Sequence, residues 1–515
     1  MAISSVYGKL ELRAYQGILI LVAVGFSYVA GLIIYRLYLH PLAKYPGPIL
    51  GRLTNLYGGY QSWKGTFHED VSNCHKKYGN IVRYAPNRIL FNTTGGLQDI
   101  YGHRSNVIKS TIYNQMVHRA PNILTQRDKA QHAVRRRVMS YGFSENALRG
   151  FEPLIRAPID KFCEKLLLSA GNANAWSEPF NVSKWCDYLT FDIMTAVIFS
   201  RSYNALDLVD KRNIIQAIED SNVRVSVLIQ ADSLRFWRLD KKLFPKAIAA
   251  RNVFIKFVSE ILKDRLFSKQ PNEKDIFSLL KNAKDPETGA TFTEKEFGGE
   301  IATLIVAGSD TTSTTMASTL FYLTRNPVAY KNATSEVRKA FSDLGEVHTG
   351  SQLNSCVYLR ACIDEALRMS PPAGGVLWRE VQSGGASIDG HFMPEGVDVG
   401  TGIYSIHHNP EYYPNPLSYR PERWLKVNPR DAGIQPYCPF SIGPRSCIGK
   451  SLALMEVMLT IAVILLQFDV QDAEEGHNSF TDIHEVSAEF RLRDHITGAK
   501  DGPSLRFRAA NHTPN

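Results

Sequence analysis

A chain of 515 residues with 44% apolar and 21% charged residues has the make-up of a folded globular protein rather than a disordered or fibrous one. Its formal net charge of +9 is spread thinly, with no Lys/Arg stripe interleaved with aromatics, which argues against nucleic acid as a partner. Seven scattered cysteines with no C-x-x-C pair exclude a disulfide framework and a closed zinc site, and fit a reducing compartment.

The first predicted element is an anchor. Ala14 to Tyr35 is a run of 22 residues without a charge. As a helix it would span about 33 Å, enough for a hydrocarbon core of about 30 Å. A cleaved signal peptide would have a shorter apolar run and a small-residue cleavage site. Residues 1–13 would then be lumenal. The basic residues that follow, Arg36, His40, Lys44 and Arg52, lean towards a cytosolic body. Pro41 and Pro46-Gly47-Pro48 stop the helix, so residues 36–64 read as a stiff Pro-rich hinge.

The body, residues 65–515, reads as one large, mainly α domain with a small β region. Strand-like pieces occur near Ile81 to Phe91 and between Gly374 and Ile406, where Asp389-Gly390 marks a hairpin turn. Helical periodicity fills 180–265, 296–325, 355–369 and 448–468. Thr293 and Glu296 form the signature of a capping box, and Asn326-Pro327 ends the helix it starts. The basic triplet Arg135-Arg136-Arg137 reads first as a solvated helix face. No further linker is evident before a polar tail near Asp501.

The most specific segment is Phe440-Ser441-Ile442-Gly443-Pro444-Arg445-Ser446-Cys447-Ile448-Gly449. Glycines on both sides of the thiol let a flat partner approach the backbone. The helix beginning at Lys450 offers amides and a positive end that would favour a thiolate and lower its pKa. Such a thiolate can serve as an axial ligand to heme iron, and Arg445 suits a carboxylate partner such as a propionate.

This segment closely resembles the heme-binding signature of the cytochrome P-450 family, F-x-x-G-x-R-x-C-x-G, at every specified position. Three further matches follow the family's order. Ala307-Gly308-Ser309-Asp310-Thr311-Thr312 resembles the stretch of helix that crosses the heme. The resemblance implies that Thr311 donates a hydrogen bond to bound oxygen and Asp310 connects the site to solvent. Glu365-Ala366-Leu367-Arg368 and Pro421-Glu422-Arg423-Trp424 resemble the segments that build a buried Glu–Arg–Arg network. His132-Ala133-Val134-Arg135-Arg136 resembles the helix that touches the heme propionates, with His132 standing where the family usually has tryptophan. Arg136 and Arg379 are then the candidate propionate partners.

The resemblance covers nearly the whole chain and implies the fold of that family: a single large domain behind an N-terminal transmembrane helix. It implies heme b held by Cys447, with Phe440, Gly443, Arg445, Arg136, His132 and Arg379 around it. It also implies dioxygen as co-substrate, insertion of one oxygen atom into a lipophilic small molecule, and electrons from NADPH by way of a membrane-bound cytochrome P-450 reductase. Residues such as Tyr38-Leu39-His40-Pro41 look like those of microsomal members from filamentous fungi, which points to the endoplasmic reticulum membrane and to secondary metabolism. A reductase-independent rearrangement enzyme, a non-catalytic heme protein and a cofactor-free structural protein are the competing readings. The variable pocket walls fall at Ser105–Leu124, Asn222–Trp237, Leu304–Thr312 and Ala373–Trp378, where Arg224, Arg235 and Arg238 are candidate partners for an anionic substrate end.

Overall fold

In a computed structural model the chain is described over residues 2–117, 120–169, 175–267, 274–425, 436–473 and 489–510. The first helix, α1, runs over Ala2–Ile34, and its last turn widens to a π-helix over Tyr35–Leu39. The apolar stretch Tyr15–Leu39 is long enough to cross a membrane, and its most apolar window contains no residue buried by the rest of the chain. Among the described residues, burial separates it from the other helix of similar apolarity, Lys450–Gln467, which is mostly enclosed by protein.

Residues 36–64 are docked rather than free. Arg36 donates to the Leu53 carbonyl, Arg52 to that of Leu37 (2.8 Å), and Arg83 to that of Arg36 (2.6 Å). Leu42 and Tyr45 are buried, and Gly47 lies so close to the Arg83 carbonyl that a Cβ there would stand 2.1 Å from its oxygen. The stiffness expected of a Pro-rich hinge comes from this packing, and two short helices, Ile49–Leu53 and Leu56–Lys64, replace the expected linker.

The β region is a five-stranded sheet of Ile81–Ala85 (β1), Arg88–Phe91 (β2), Val107–Lys109 (β3), Arg379–Val381 (β4) and Asp398–Gly400 (β5), in the order β1-β2-β5-β4-β3. Only β2 and β5 pair in parallel. The Asp389-Gly390 turn forms as its sequence demands, with φ of 49° and 75° joining Ala386–Ile388 to His391–Met393. The polar tail is not a tail. Ser504–Ala509 is the middle strand of a three-stranded sheet between Phe180–Asn181 and Phe468–Asp472.

The helices that build the site are Lys129–Ser140 (α2), Val182–Phe199 (α3), Asn213–Gln230 (α4), Pro245–Phe267 (α5), Glu294–Arg325 (α6), Val357–Met369 (α7) and Lys450–Gln467 (α8). The long α6 packs on α3, α5, α7 and α8 and forms the axis of the body. Its capping box is present in both directions, with Glu296 returning to the Thr293 amide at 3.0 Å. Gly308 earns its place through packing: a Cβ there would meet the Met194 sulfur of α3 at 2.5 Å. The Arg135-Arg136-Arg137 triplet is not a solvated face. Arg135 pairs with Glu296 and Glu300 of α6 at 2.7 Å each, Arg136 donates to the Ser446 carbonyl at 2.7 Å, and Arg137 pairs with Asp285 at 2.7 Å.

Behind the Cys447 loop, Glu365 and Arg368 of α7 are both 0% exposed. Arg368 donates to both Glu365 oxygens (3.0 and 2.9 Å) and to the His407 carbonyl (2.9 Å). Glu365 also accepts from Arg423 Nε (3.1 Å), the Arg420 amide (3.1 Å) and Trp424 Nε1 (3.0 Å). Exposed, such an i, i+3 pair would contribute about 0.3–0.5 kcal/mol. Buried, the loss of one partner costs about 3–5 kcal/mol because charge is left uncompensated.

The hairpin of Arg493–His495 and Thr497–Ala499 carries another buried carboxyl, Asp494. Its Oδ2 has no partner among the described residues, and burial pushes its pKa up to about 7, with the Ile496 amide opposing. A carboxyl whose pKa is raised by folding stabilises fully below its unfolded value near 4. That contribution is lost as pH climbs towards 7.

Two stability predictions follow from these buried acids. Glu365→Leu is expected to lower unfolding free energy by about 3–5 kcal/mol, read by denaturant melts or by collapse of soluble yield. Asp494→Asn is expected to raise the melting temperature by several degrees at pH 8 and by much less at pH 5. A gain independent of pH would show that folding does not raise the pKa of this carboxyl.

Candidate active site

Of the seven cysteines, Cys447 alone is exposed and the other six are buried. The loop that presents it is tightly folded. Its amide donates to the Phe440 carbonyl (2.9 Å), and the Ser446 amide to that of Gly443 (3.0 Å). Gly443 has φ of +69°, and a Cβ on it would stand 2.1 Å from the Tyr101 carbonyl oxygen, so no other residue fits. Gly449 caps α8 immediately after the thiol. The amides of Gly449 and Lys450 and the charges of Arg136 and Lys450 all favour a thiolate, but burial of the surrounding loop outweighs them and the Cys447 pKa is raised. The lowering expected from the helix end alone is therefore not what the protein delivers.

Next to this loop four cations converge without an anion. Arg445 donates to the carbonyls of Gln126 (2.6 Å) and Arg127 (2.9 Å), Arg379 to those of Leu377 and Trp378 (3.1 Å each), and Lys109 of β3 to that of Leu124. Arg136 reaches Ser446, as described. None of the four has a carboxylate within ion-pair distance among the described residues. Burial and mutual repulsion push the Arg445 pKa down to about 10 and that of Lys109 well below its usual value. His132, buried on α2, is held neutral, with a pKa of about 3, by burial and then by Arg445, Lys109, Arg136 and Arg135. Unpaired buried cations are costly. This donor set fits a group bearing two carboxylates, such as a heme. Lys109 was not foreseen, because a lysine in a three-residue strand carries no local signal of what it faces.

On α6 the helix runs unbroken past Asp310 and Thr311. Thr311 Oγ1 donates back to the Ala307 carbonyl at 2.7 Å. Asp310 turns to the hairpin: it accepts from Thr497 Oγ1, and Lys500 Nζ lies 4.0 Å from its Oδ1. Lys500, with a side chain 2% exposed, pairs at 2.6 Å with Asp187 of α3, which also accepts from Ser313 (2.6 Å). Burial raises the Asp310 pKa and Lys500 opposes the rise. A buried acid, a buried ammonium and a second acid thus form one chain leading away from Thr311. Lys500 and Asp187 were invisible in the sequence, being almost 200 and more than 100 residues from Asp310.

Two cavities lie over this region. One of about 660 Å³ is bounded by α4, α5 and α6 and reaches Val306, Ala307, Met116, Leu124, Ile496 and Thr497. A smaller one, about 90 Å³, lies among Phe67, Met116, Val376, Leu377, Asp494 and Ile496. Parts of all four expected wall segments appear here, though residues 118 and 119 of the first lie outside the described residues. The arginines expected to meet an anionic substrate do not. Arg224 is tied to Asp240, Arg235 donates to Gln115 (2.8 Å), and Arg238 is exposed. The α5 wall and the hairpin wall went unpredicted, since neither carries a motif that marks what it faces.

Known proteins share this arrangement. Residues 41–489 match the family model described as Cytochrome P-450. The chain is 51% identical over 483 residues to cytochrome P-450 monooxygenase poxM of Penicillium oxalicum, covering 93% of each. It is 44% identical to monooxygenase AKT7 of Alternaria alternata (95% of this chain, 97% of that one) and 46% identical to atnE of Emericella nidulans (92% and 93%). Among solved structures the heme domain of cytochrome P-450DA superposes with a TM-score of 0.70 at 19% identity, over 87% of this chain and 94% of that one, which speaks to fold alone. Heme iron with a cysteine thiolate ligand is implied by that kinship, and so is use of dioxygen with a redox partner. With the family model matched across most of its length and fungal monooxygenases nearly half identical to it, this chain is a member of the cytochrome P-450 monooxygenase family.

Proposed function

We propose that the chain is a membrane-anchored hydroxylase in which Cys447 is the axial heme ligand and Arg136, Arg379, Arg445 and Lys109, with neutral His132, hold the two propionates. The observation that carries this reading is the pairing of the one exposed cysteine with four anion-free cations at its side. A metal-bound thiol is deprotonated by the metal itself, which overrides the upward pull of burial on Cys447. When bound, the heme supplies reductive cleavage of dioxygen and transfer of one oxygen atom to the substrate. The balance is substrate C–H, O2, two electrons and two protons giving C–OH and water.

The remaining roles belong to the protein. Thr311 holds a hydroxyl one turn beyond Ala307 of the cavity wall, and Asp310 refills its proton through Lys500 and Asp187. The intact Asp310–Thr311 pair speaks against a rearrangement enzyme that needs no protons from outside. Electrons come from the NADPH-dependent cytochrome P-450 reductase, docking on the face where Lys450 adds positive charge at the head of α8. The exposed apolar helix Tyr15–Leu39 sets the protein in the endoplasmic reticulum membrane with its body cytosolic and its first 13 residues lumenal. A lipophilic substrate that partitions into that membrane fits the large cavity. The fungal kinship favours a secondary metabolite, such as a terpenoid, polyketide or alkaloid.

The carbon monoxide difference spectrum of dithionite-reduced membranes tests the ligand. A strongly red-shifted Soret band in the wild type, lost in Cys447→Ser, is expected. Absence of that band in folded, heme-supplied wild type would sink the reading. For the relay, Asp310→Asn is expected to slow NADPH-driven turnover by about 10²-fold. Thr311→Ala should instead divert reduced oxygen to hydrogen peroxide, raising the peroxide released per NADPH consumed. Unchanged ratios in both variants would remove the pair from proton delivery.

A further inference from the structure

One cation in the large cavity has no counterpart in the heme cluster or the relay. α5 turns Arg251, Phe254, Ile255, Val258, Leu262 and Leu266 towards the cavity. These recur at helical spacing, so they form one face, and they extend over about 22 Å at 1.5 Å per residue. Of the eight α5 residues on the cavity, Ser259 and Lys263 included, five are apolar. Arg251, half-buried at one end, makes no hydrogen bond or ion pair with any described residue. Asp240, which could have served it, is buried against Arg224 of α4 and accepts from its Nε at 3.1 Å.

The rest of the charged wall leans the same way. Lys263, Lys281 and Lys295 border the cavity, against one acid, Glu294, and all four are exposed. An exposed lysine at a rim steers and does little more. Arg251 differs because burial and the charge of Arg224 both disfavour its protonated form, so an anion brought beside it meets a partly desolvated cation. A guanidinium that merely snorkels to solvent along a helix is the plain alternative.

We propose that the substrate is an amphipathic molecule with an extended apolar body and a carboxylate, and that Arg251 receives the carboxylate while the α5 and α6 walls take the body. This deepens the monooxygenase reading and rests on it for what happens to the bound molecule, but the binding claim stands apart from the iron. Arg251 decides which molecules enter and how they lie; it takes no part in the oxygen chemistry.

The test uses the full-length, heme-loaded protein in phospholipid nanodiscs, first checked for its carbon monoxide band so that failure of the heme reading is seen separately. Dodecanoate and its methyl ester are then titrated by calorimetry into wild type, Arg251→Gln, Arg251→Lys and Lys263→Gln, all in the same nanodiscs so that partitioning into lipid cancels. The expected result is a preference of at least tenfold for the carboxylate in wild type. Arg251→Gln should abolish it, with ester affinity and melting temperature unchanged; Arg251→Lys should keep part of it and Lys263→Gln all of it. Equal binding of both ligands in wild type, binding of neither, or a preference that survives Arg251→Gln would overturn the proposal.

Discussion

Five hydrogen bonds end on the two oxygens of Glu365, three of them from the guanidinium groups of Arg368 and Arg423 and the others from the Arg420 amide and the Trp424 indole. Arg368 then reaches the His407 carbonyl, and the His407 ring accepts from the Cys438 amide at the start of the thiol-bearing loop. A single buried carboxylate therefore ties α7, the 420–424 turn and the approach to Cys447 into one block. The tight turn at Gly443 and the thiol beyond it inherit their position from that block. The block adds to the ties that the loop makes through Arg136, Arg445 and the close approach of Gly443 to Tyr101.

The charges of the active region obey the opposite rule. Around Glu365 each guanidinium nitrogen of Arg368 is met, whereas Lys109, Arg136, Arg379 and Arg445 find only carbonyl and hydroxyl oxygens and repel one another. Asp310, Lys500 and Asp187 likewise crowd two acids on one ammonium. Where several like charges lie together without a counter-ion, a bound group or a moving proton is the natural complement. The contrast between the two networks, less than one helix apart in the chain, separates scaffold from chemistry.

What could be read from the sequence was whatever short segments encode by themselves. The Thr293–Glu296 box, the Asp389-Gly390 turn, the Phe440–Gly449 loop and the Glu365–Arg368 pair each need only their own neighbours, and all formed. What could not be read depends on partners far along the chain. Lys500 meets Asp187 across 313 positions, and Arg136 meets Ser446 across 310. Arg224 was a reasonable substrate contact until Asp240, on the next helix, claimed it. Residues 36–64 looked like a linker because prolines break helices, but prolines say nothing about whether the broken chain then packs. The hidden wall of the cavity, α5, has no unusual residue to announce it.

The three consecutive arginines of α2 carry a last consequence. Successive side chains on a helix diverge by 100°, and Arg135, Arg136 and Arg137 use that divergence to reach α6, the Cys447 loop and the 285 turn in three directions. Exchanging any one of them loses only that residue's own contacts. Adding or removing a residue upstream within α2 would instead rotate all three at once, pointing each at its neighbour's target. This helix should therefore accept drift in its letters far more readily than any change in its length, and natural length variation among relatives should fall outside it, before Asp128 or after Ser140.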